Sequence, residues 1–161
     1  MKLTPGQAAP QFSAETAAGD PLSLSAFRGK WVILYFYPRD NTPGCTRQAC
    51  AFRDSHKDFV EADAVVIGCS TDSNASHAGF ATRYELPFYL VSDADHKIAE
   101  AYGAWQEKNM YGKKSWGVVR STFLIDPAGI ITHVWPRVKV DGHIPKVLEA
   151  LRRAKSEFNP A

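Results

Sequence analysis

Two cysteines with a spacing suited to redox chemistry, Cys45 and Cys50, lie shortly after an apolar run at residues 31–37. Thr42 is a residue type favoured as a helix N-cap, and Pro43 suits the first helical position because an N–H has no partner there anyway. Cys45 then falls in the first turn of the predicted helix, among unpaired backbone N–H groups and at the positive end of the helix dipole. A thiolate is stabilised at such a position, so we predict that Cys45 is a nucleophilic cysteine.

The five-residue spacing restricts how the two thiols can meet. Five residues of α-helix advance about 7.5 Å and turn about 500°, which places the Cα atoms of Cys45 and Cys50 about 8.6 Å apart. A disulfide needs a Cα–Cα distance of about 4.4–6.8 Å, so the two cysteines cannot bond while the helix is intact. We therefore expect a switch between a folded state with a free thiolate and a locally unfolded state with a disulfide.

Composition and charge argue against several classes of function. The chain has 161 residues, 19 Lys and Arg against 17 Asp and Glu, and a formal net charge of +2. This charge is too small to predict nucleic acid or a membrane as the main partner, and no apolar run is long enough to span a bilayer. Because no signal-like apolar run follows Met1, we expect a cytoplasmic protein whose three cysteines stay reduced unless a reaction oxidises them. The length predicts a single domain over residues 1–161.

The elements that must position these cysteines alternate along the chain. Short apolar runs predict five strands, at residues 31–37, 65–70, 88–91, 121–125 and 130–134, the last two forming a hairpin. Capping residues and apolar periodicity predict helices from 43, from 74 to about 86, from about 94 to 103, and from 143 to 158. This order predicts an α/β fold with a mixed sheet. Residues 104–119 lack a clear period and predict a long loop that ends at Arg120, which could aim its guanidinium at the site.

The residues around Cys45 resemble the active-site motif of peroxiredoxins, Pro-x-x-x-Thr-x-x-Cys, which is formed here by Pro38, Thr42 and Cys45. The extended motif over residues 35–54 is similar to the bacterioferritin comigratory protein, or peroxiredoxin Q, subfamily. Further stretches resemble that family in the same order: Gly6-x-x-Ala9-Pro10-x-Phe12, Gly68-x-Ser70-x-Asp72, Ser92-Asp93-x-Asp95, Tyr111-Gly112-Lys113 and residues 120–129. The resemblance covers nearly the whole chain.

The resemblance implies a thioredoxin-like fold, with helices flanking a central mixed β-sheet and an N-terminal extension. It implies an antioxidant enzyme, a two-cysteine peroxidase that reduces hydrogen peroxide and organic hydroperoxides as a monomer, without metal, haem or flavin. Cys45 would be the peroxidatic cysteine that becomes a sulfenic acid, Cys50 would resolve it as a disulfide, and thioredoxin or glutaredoxin would reduce that disulfide. Thr42 would hydrogen-bond the thiolate and the peroxide, Pro38 would shield the pocket, and Arg120 would stabilise the thiolate and the developing charge.

Some positions depart from the pattern of the family. Gln48 stands where many peroxiredoxins have Glu, and it can accept a hydrogen bond from Arg120 without carrying a charge. Some relatives place the resolving cysteine on the next helix, but residues 74–85 hold no cysteine, which makes Cys50 the natural candidate. Cys69 is an addition in a predicted buried strand, and we expect it to be a packed structural thiol.

The same residues allow other interpretations. Cys50 could be an inert cysteine of the helix core, Arg120 a surface residue and Pro38 a turn residue. A thiol–disulfide oxidoreductase could use the same fold, but the Cys-x-x-Cys pair typical of that class is missing. A metal site or redox sensor on Cys45 and Cys50 would lack a closed ligand set, because none of the five histidines has metal-ligand spacing. A non-catalytic interaction domain would keep its function after the substitution Cys45→Ser.

Overall fold

The computed structural model describes residues 3–158, and within that range the chain forms nine strands and five α-helices. In chain order they are β1 (Ser13–Glu15), β2 (Pro21–Ser23), β3 (Trp31–Phe36), α1 (Pro43–Asp54), α2 (His56–Glu61), β4 (Ala64–Ser70), α3 (Asn74–Tyr84), β5 (Tyr89–Ser92), α4 (Lys97–Ala101), β6 (Trp105–Met110), β7 (Lys113–Val118), β8 (Ser121–Ile125), β9 (Ile131–Trp135) and α5 (His143–Glu157). Across this described range, no helix combines the length and the apolar character that crossing a membrane requires.

Five strands form the central sheet in the order β5-β4-β3-β8-β9. β3 runs parallel to β4 and antiparallel to β8, while β4 pairs parallel with β5 and β8 pairs antiparallel with β9. All six residues of β3 are buried because both faces of the sheet are covered, which explains why this strand reads as a continuous apolar run. The mixed α/β sheet predicted from the sequence is confirmed.

The two faces of the sheet have separate cores. Side chains alternate across a strand, so Ile33 and Tyr35 of β3 face one side, together with α1, α2, α3 and α5. Leu34 and Phe36 face the other side, together with α4 and the N-terminal segment. The N-terminal segment contains the two-stranded hairpin of β1 and β2, in agreement with the predicted N-terminal extension.

The segment predicted as a long loop forms a β-hairpin instead. β6 and β7 pair antiparallel over their whole length, and Tyr111 and Gly112 form the two-residue turn between them with φ of 53° and 78°. Two positive φ angles are typical of the type I′ turn that suits such hairpins. Most of β7 is exposed, so no core face imposes an alternation of apolar and polar residues. The prediction was wrong because it relied on that alternation.

Helix boundaries follow the predicted capping residues in most places. α1 begins at Pro43 with Thr42 at the N-cap position, and Ser73 caps α3 by accepting a hydrogen bond from the N–H of Ser76 at 3.1 Å. α4 is shorter than predicted because the carboxylate of Asp93 binds the backbone N–H groups at its first turn and leaves residues 94–96 as a turn.

Candidate active site

Cys45 lies in the first turn of α1, where the sequence predicts it. The first backbone hydrogen bond of the helix runs from the N–H of Thr46 to the carbonyl of Thr42 at 2.9 Å, so the N–H of Cys45 precedes the helical hydrogen bonds. Cys45 is 2% exposed and belongs to the core between α1 and the sheet. Its sulfur is shielded from bulk water, which disfavours a thiolate, whereas the nearby positive end of the helix dipole favours one.

Arg120 reaches this turn from the residue before β8 and contacts two side chains of α1. Its Nη2 donates a hydrogen bond to Sγ of Cys45 at 3.3 Å, and its Nη1 donates to Oε1 of Gln48 at 2.6 Å. Gly44 permits the approach, since a Cβ at that position would lie 3.2 Å from Nη2. A guanidinium fixed at two points is a preorganised donor for negative charge at the sulfur. The structure thus brings together Cys45, Arg120 and Gln48 as expected.

Thr42 and Pro38 belong to the segment that leads into α1. The hydroxyl of Thr42 donates to the carbonyl of Arg39 at 2.8 Å and does not cap a backbone N–H of the first turn. Its oxygen can still accept a hydrogen bond from a peroxide O–H, but its own proton is directed to Arg39 rather than to the thiol. Pro38 is half-buried and follows the buried Tyr37 at the end of β3. Thr42 directly precedes α1, and Pro38 lies four residues earlier in the chain.

The three cysteines are free thiols in different surroundings. Cys50 is half-buried and shares the continuous helix α1 with Cys45, so the helical Cα separation of about 8.6 Å keeps the two thiols from bonding. Cys69 on β4 faces the opposite side of the sheet from Cys45. Burial raises the pKa of Cys69 well above its ordinary value, and the charge of Asp93 raises it further. Cys69 is the packed thiol that the sequence predicts.

Aromatic rings support the inner face of α1. Phe52 stacks on Tyr35 with ring centroids 4.6 Å apart and an interplanar angle of 24°. The ring of Tyr35 fills the space above Gly68, where a Cβ would lie 2.9 Å from its hydroxyl. Burial raises the pKa of Tyr35 well above its ordinary value, and the charge of Cys45 acts in the same direction. A neutral phenol therefore lies beneath the site.

A buried hydrogen-bond network holds the segment between β3 and α1, and we call it the Asp40 network. Oδ1 of Asp40 accepts a hydrogen bond from the hydroxyl of Tyr37 at 2.5 Å. Oδ2 accepts from the hydroxyl of Ser76 at 2.7 Å and lies 2.7 Å from Nδ1 of His77. The backbone N–H of Asp40 donates to Oδ2 of Asp72 at 2.7 Å. The bond from Tyr37 closes the segment on itself, and the other bonds connect it to α3 and to the turn that precedes α3.

The charge of Asp40 follows from these contacts. Burial on its own raises the pKa of this carboxyl, but the hydrogen bonds from His77, Tyr37 and Ser76 outweigh burial and lower it overall. Nε2 of His77 lies 3.0 Å from the carbonyl of Val91, and this contact orients the ring with Nδ1 towards Asp40. The arrangement therefore favours an ionised carboxylate.

Ligand atoms of Asp40, Asp72 and His77 lie within 4.8 Å of one another, a spacing that a metal ion could use. The hydrogen bonds described above already involve both carboxylate oxygens of Asp40 and Nδ1 of His77. We interpret the group as a structural network. The sequence did not reveal this network because Asp40 and His77 are 37 residues apart, and no sequence motif links the two residues.

A second cation, Lys108 on β6, lies near Arg120. Its side chain crosses Gly117 of β7, where a Cβ would lie 3.6 Å from Cδ of the lysine. Burial lowers the pKa of Lys108 and the positive charge of Arg120 lowers it further, whereas the charge of Cys45 acts in the opposite direction. The sequence could not place Lys108, because the hairpin that carries it was predicted as a loop.

His143 lies near Arg120 as a neutral residue. It is buried at the first position of α5, and its Nε2 shares a hydrogen bond with the hydroxyl of Thr122 at 2.9 Å. Burial lowers the pKa of His143 to about 4, with further contributions from the charges of Lys146 and Arg120. The sequence does not show that His143 lies near Arg120, because this proximity depends on the contact between α5 and β8.

Comparison with known proteins identifies relatives over most of the chain. The model of the AhpC/TSA family matches residues 5–134. Peroxiredoxin Bcp of Bacillus subtilis is 46% identical over 152 residues, which cover 94% of this chain and 97% of that protein.

Solved structures agree with this result. The bacterioferritin comigratory protein of Xanthomonas campestris, studied for its alkyl peroxide reduction activity, superposes with a TM-score of 0.85 at 40% identity and covers 88% of this chain and 90% of its own. A cysteine-to-serine mutant of PrxQ from Xylella fastidiosa superposes with a TM-score of 0.91 at 34% identity, over 96% of this chain and 99% of that one. The predicted thioredoxin-like fold is confirmed by these matches.

Proposed function

The chain belongs to the AhpC/TSA family and is a peroxidase of the Bcp and peroxiredoxin Q type, and from this premise we propose that Cys45 is its peroxidatic cysteine and Cys50 its resolving cysteine. The observation that carries this proposal is the contact at 3.3 Å between Nη2 of Arg120 and Sγ of Cys45, at the first turn of α1. A fixed cation and helix N–H groups favour both the thiolate and the charge that develops when it reacts.

In the first step the thiolate of Cys45 attacks the hydrogen-bearing oxygen of a hydroperoxide. A sulfur–oxygen bond forms, the O–O bond breaks, and the other oxygen leaves as hydroxide or alkoxide, which takes a proton to give water or an alcohol. The sulfur is oxidised to a sulfenic acid and the peroxide is reduced. Negative charge moves from sulfur to the leaving oxygen, so the guanidinium of Arg120 stabilises both ends of the path. The oxygen of Thr42 accepts a hydrogen bond from the peroxide O–H.

In the second step the thiol of Cys50 attacks the sulfenic acid of Cys45, and a disulfide and one water molecule are formed. Because the helical Cα separation of about 8.6 Å exceeds the range for a disulfide, the first turns of α1 must unwind. A dithiol reductant of the thioredoxin type then opens the disulfide by thiol–disulfide exchange and is itself oxidised. Reduction allows α1 to wind again.

Intact-mass measurement and peptide mapping test the proposal. The reduced protein receives one equivalent of hydrogen peroxide, and we expect a loss of about 2 mass units with Cys45 linked to Cys50. The variant Cys50→Ser should gain about 16 mass units at Cys45 as a sulfenic acid, and Cys45→Ser should not react. A disulfide between Cys45 and Cys69 would show that Cys69, and not Cys50, is the resolving cysteine. A wild-type protein that has not reacted after minutes would refute the peroxidatic role of Cys45.

A turnover assay tests substrates and the reductant. NADPH oxidation through thioredoxin reductase and thioredoxin is followed with hydrogen peroxide or cumene hydroperoxide, and a glutaredoxin system is run in parallel. We expect turnover with thioredoxin for both peroxides and none with Cys45→Ser. Turnover with glutaredoxin alone would leave the peroxidase in place and change the reductant.

A further inference from the structure

Gln48 holds a buried hydrogen-bond donor that its surroundings leave without an acceptor. The residue is 0% exposed on α1, and its Oε1 accepts the hydrogen bond from Arg120. Among residues 3–158, its Nε2 makes no hydrogen bond to a protein acceptor. Turning the amide over does not help, because a guanidinium has only donors and would then face Nε2. A buried donor without a partner destabilises the conformation that buries it, which here is the wound helix.

Arg120 holds α1 through two contacts that differ in charge. The contact with Gln48 joins the guanidinium to a neutral amide, whereas the contact with Cys45 joins it to a sulfur that is negative in the thiolate form. Hydrogen bonds between two charged partners are roughly twice as strong as neutral ones. Oxidation converts the thiolate into a neutral sulfenic acid, so the stronger contact weakens at the moment when the disulfide has to form.

We propose that Gln48 makes the unwinding of α1 depend on the oxidation state of Cys45. In the reduced protein the pair of thiolate and Arg120 holds the first turns. After oxidation the remaining contact is to a neutral residue with an unpartnered donor, so the helix unwinds and Cys50 reaches Cys45. A carboxylate at position 48 would form an ion pair with Arg120 that survives the oxidation of Cys45.

Gln48 is in this sense a positioning residue, which acts through Arg120 and does not touch the peroxide. The inference rests on the function proposed above, in which Cys45 and Cys50 form the disulfide. Its tests therefore include one readout that uses no peroxide.

The first test measures the rate of disulfide formation in Gln48→Glu. The reduced protein is mixed with one equivalent of hydrogen peroxide and quenched at intervals with a sulfenic-acid reagent for mass spectrometry. We expect disulfide formation about 10- to 100-fold slower than in the wild type, with sulfenic acid accumulating and more sulfinic acid under excess peroxide. Gln11→Glu, which introduces the same charge at an exposed position, should match the wild type. A wild-type or faster rate in Gln48→Glu would overturn the inference.

The second test measures hydrogen exchange of the amides at residues 44–50 in reduced protein. Cys45→Ser removes the thiolate and should speed exchange by about 10-fold while Gln48 is present, but should have little effect in the Gln48→Glu background. An equal effect in both backgrounds would overturn the inference. If Gln48→Glu does not fold, the single variant Cys45→Ser still tests the inference: hydrogen exchange at the wild-type rate in this variant would overturn it. This result is independent of peroxide turnover, so failure of the proposed cycle and failure of this inference are distinguishable.

Discussion

The buried His143 is expected to make the protein less stable in mildly acidic solution. The residue is 4% exposed, its imidazole shares a hydrogen bond with Thr122, and its ring and that of Trp135 form a T-shaped pair with centroids 5.5 Å apart. Burial, with smaller contributions from Lys146 and Arg120, lowers its pKa to about 4 from an ordinary value of 6.5. The first turn of α5 adds the positive end of a helix dipole, which also disfavours the imidazolium.

The direction of the effect follows from which state binds the proton first. The unfolded chain protonates this histidine at about pH 6.5, whereas the folded protein does so at about pH 4, so a fall in pH between these values stabilises the unfolded state relative to the folded state. The contribution to stability is complete above about pH 6.5 and declines as the pH falls towards 4. Two pKa values of 6.5 and about 4 give a loss of about 2 kcal/mol between pH 7 and pH 5, and about 3 kcal/mol by pH 4.

Urea unfolding at pH 7, 6 and 5 measures this loss. For a slope of about 2 kcal/mol per molar urea, the midpoint should fall by about 1 M between pH 7 and pH 5. The variant His143→Gln cannot titrate and should lose most of this pH dependence. Asp40 does not interfere, because its pKa is lowered and its contribution is lost only below its unfolded value of about 3.9.

His133→Gln is the matched control. Partial burial also lowers the pKa of His133, but this residue is largely exposed, so solvent weakens the effect on stability. The variant His133→Gln should therefore keep most of the wild-type pH dependence. If His143→Gln loses as much stability between pH 7 and pH 5 as the wild type does, the assignment to this histidine is refuted.

Two further predictions concern Arg120 and Cys69. Arg120→Lys should slow the oxidation of Cys45 by hydrogen peroxide about 10- to 100-fold, because an ammonium cannot bridge Sγ and the side chain of Gln48 as the guanidinium does; rapid-quench mass spectrometry measures this rate, and a change below about 3-fold would contradict the role of the bridge. In the native reduced protein Cys69 should resist alkylation by iodoacetamide while Cys50 reacts, because burial raises the pKa of Cys69. Peptide mapping distinguishes the two cysteines, and equal labelling would mean that the core around β4 opens readily.

Much of the site was predictable because its signals are local in the sequence. The N-cap position, the proline at the first helical position and the spacing of Cys45 and Cys50 are properties of one short segment, and a single helix explains them all. From the residues alone, Arg120 was only a cation at the end of residues 104–119 that could point at the site, and the resemblance to a family supplied its role, since nothing local links a residue 75 positions away to the first turn of α1.

Contacts that depend on packing between distant segments were not predictable. The Asp40 network needs β3 and α3 side by side, and the sequence shows only an aspartate after a strand and a histidine in a helix. The unpartnered donor of Gln48 appears only when its Oε1 is already bound to Arg120 and its surroundings are fixed. The hairpin of β6 and β7 was not predicted because most of β7 is exposed, so its sequence shows no alternation of apolar and polar residues.

The Asp40 network has a consequence for how α1 forms again after reduction. Tyr37, at the start of the same segment, binds Asp40, the other partners lie on α3 and in the turn before α3, and none of these bonds belongs to α1. Unwinding of α1 in the proposed cycle would break none of these bonds, so the segment that ends at Thr42 would stay tied to α3 and to the turn before it. The costly part of helix formation is nucleation, in which several residues are fixed for the first hydrogen bond. In the proposed cycle, rewinding would then start from a Thr42 whose position the network already restrains, so fewer residues would have to be ordered before the hydrogen bond from the N–H of Thr46 to the carbonyl of Thr42 forms again.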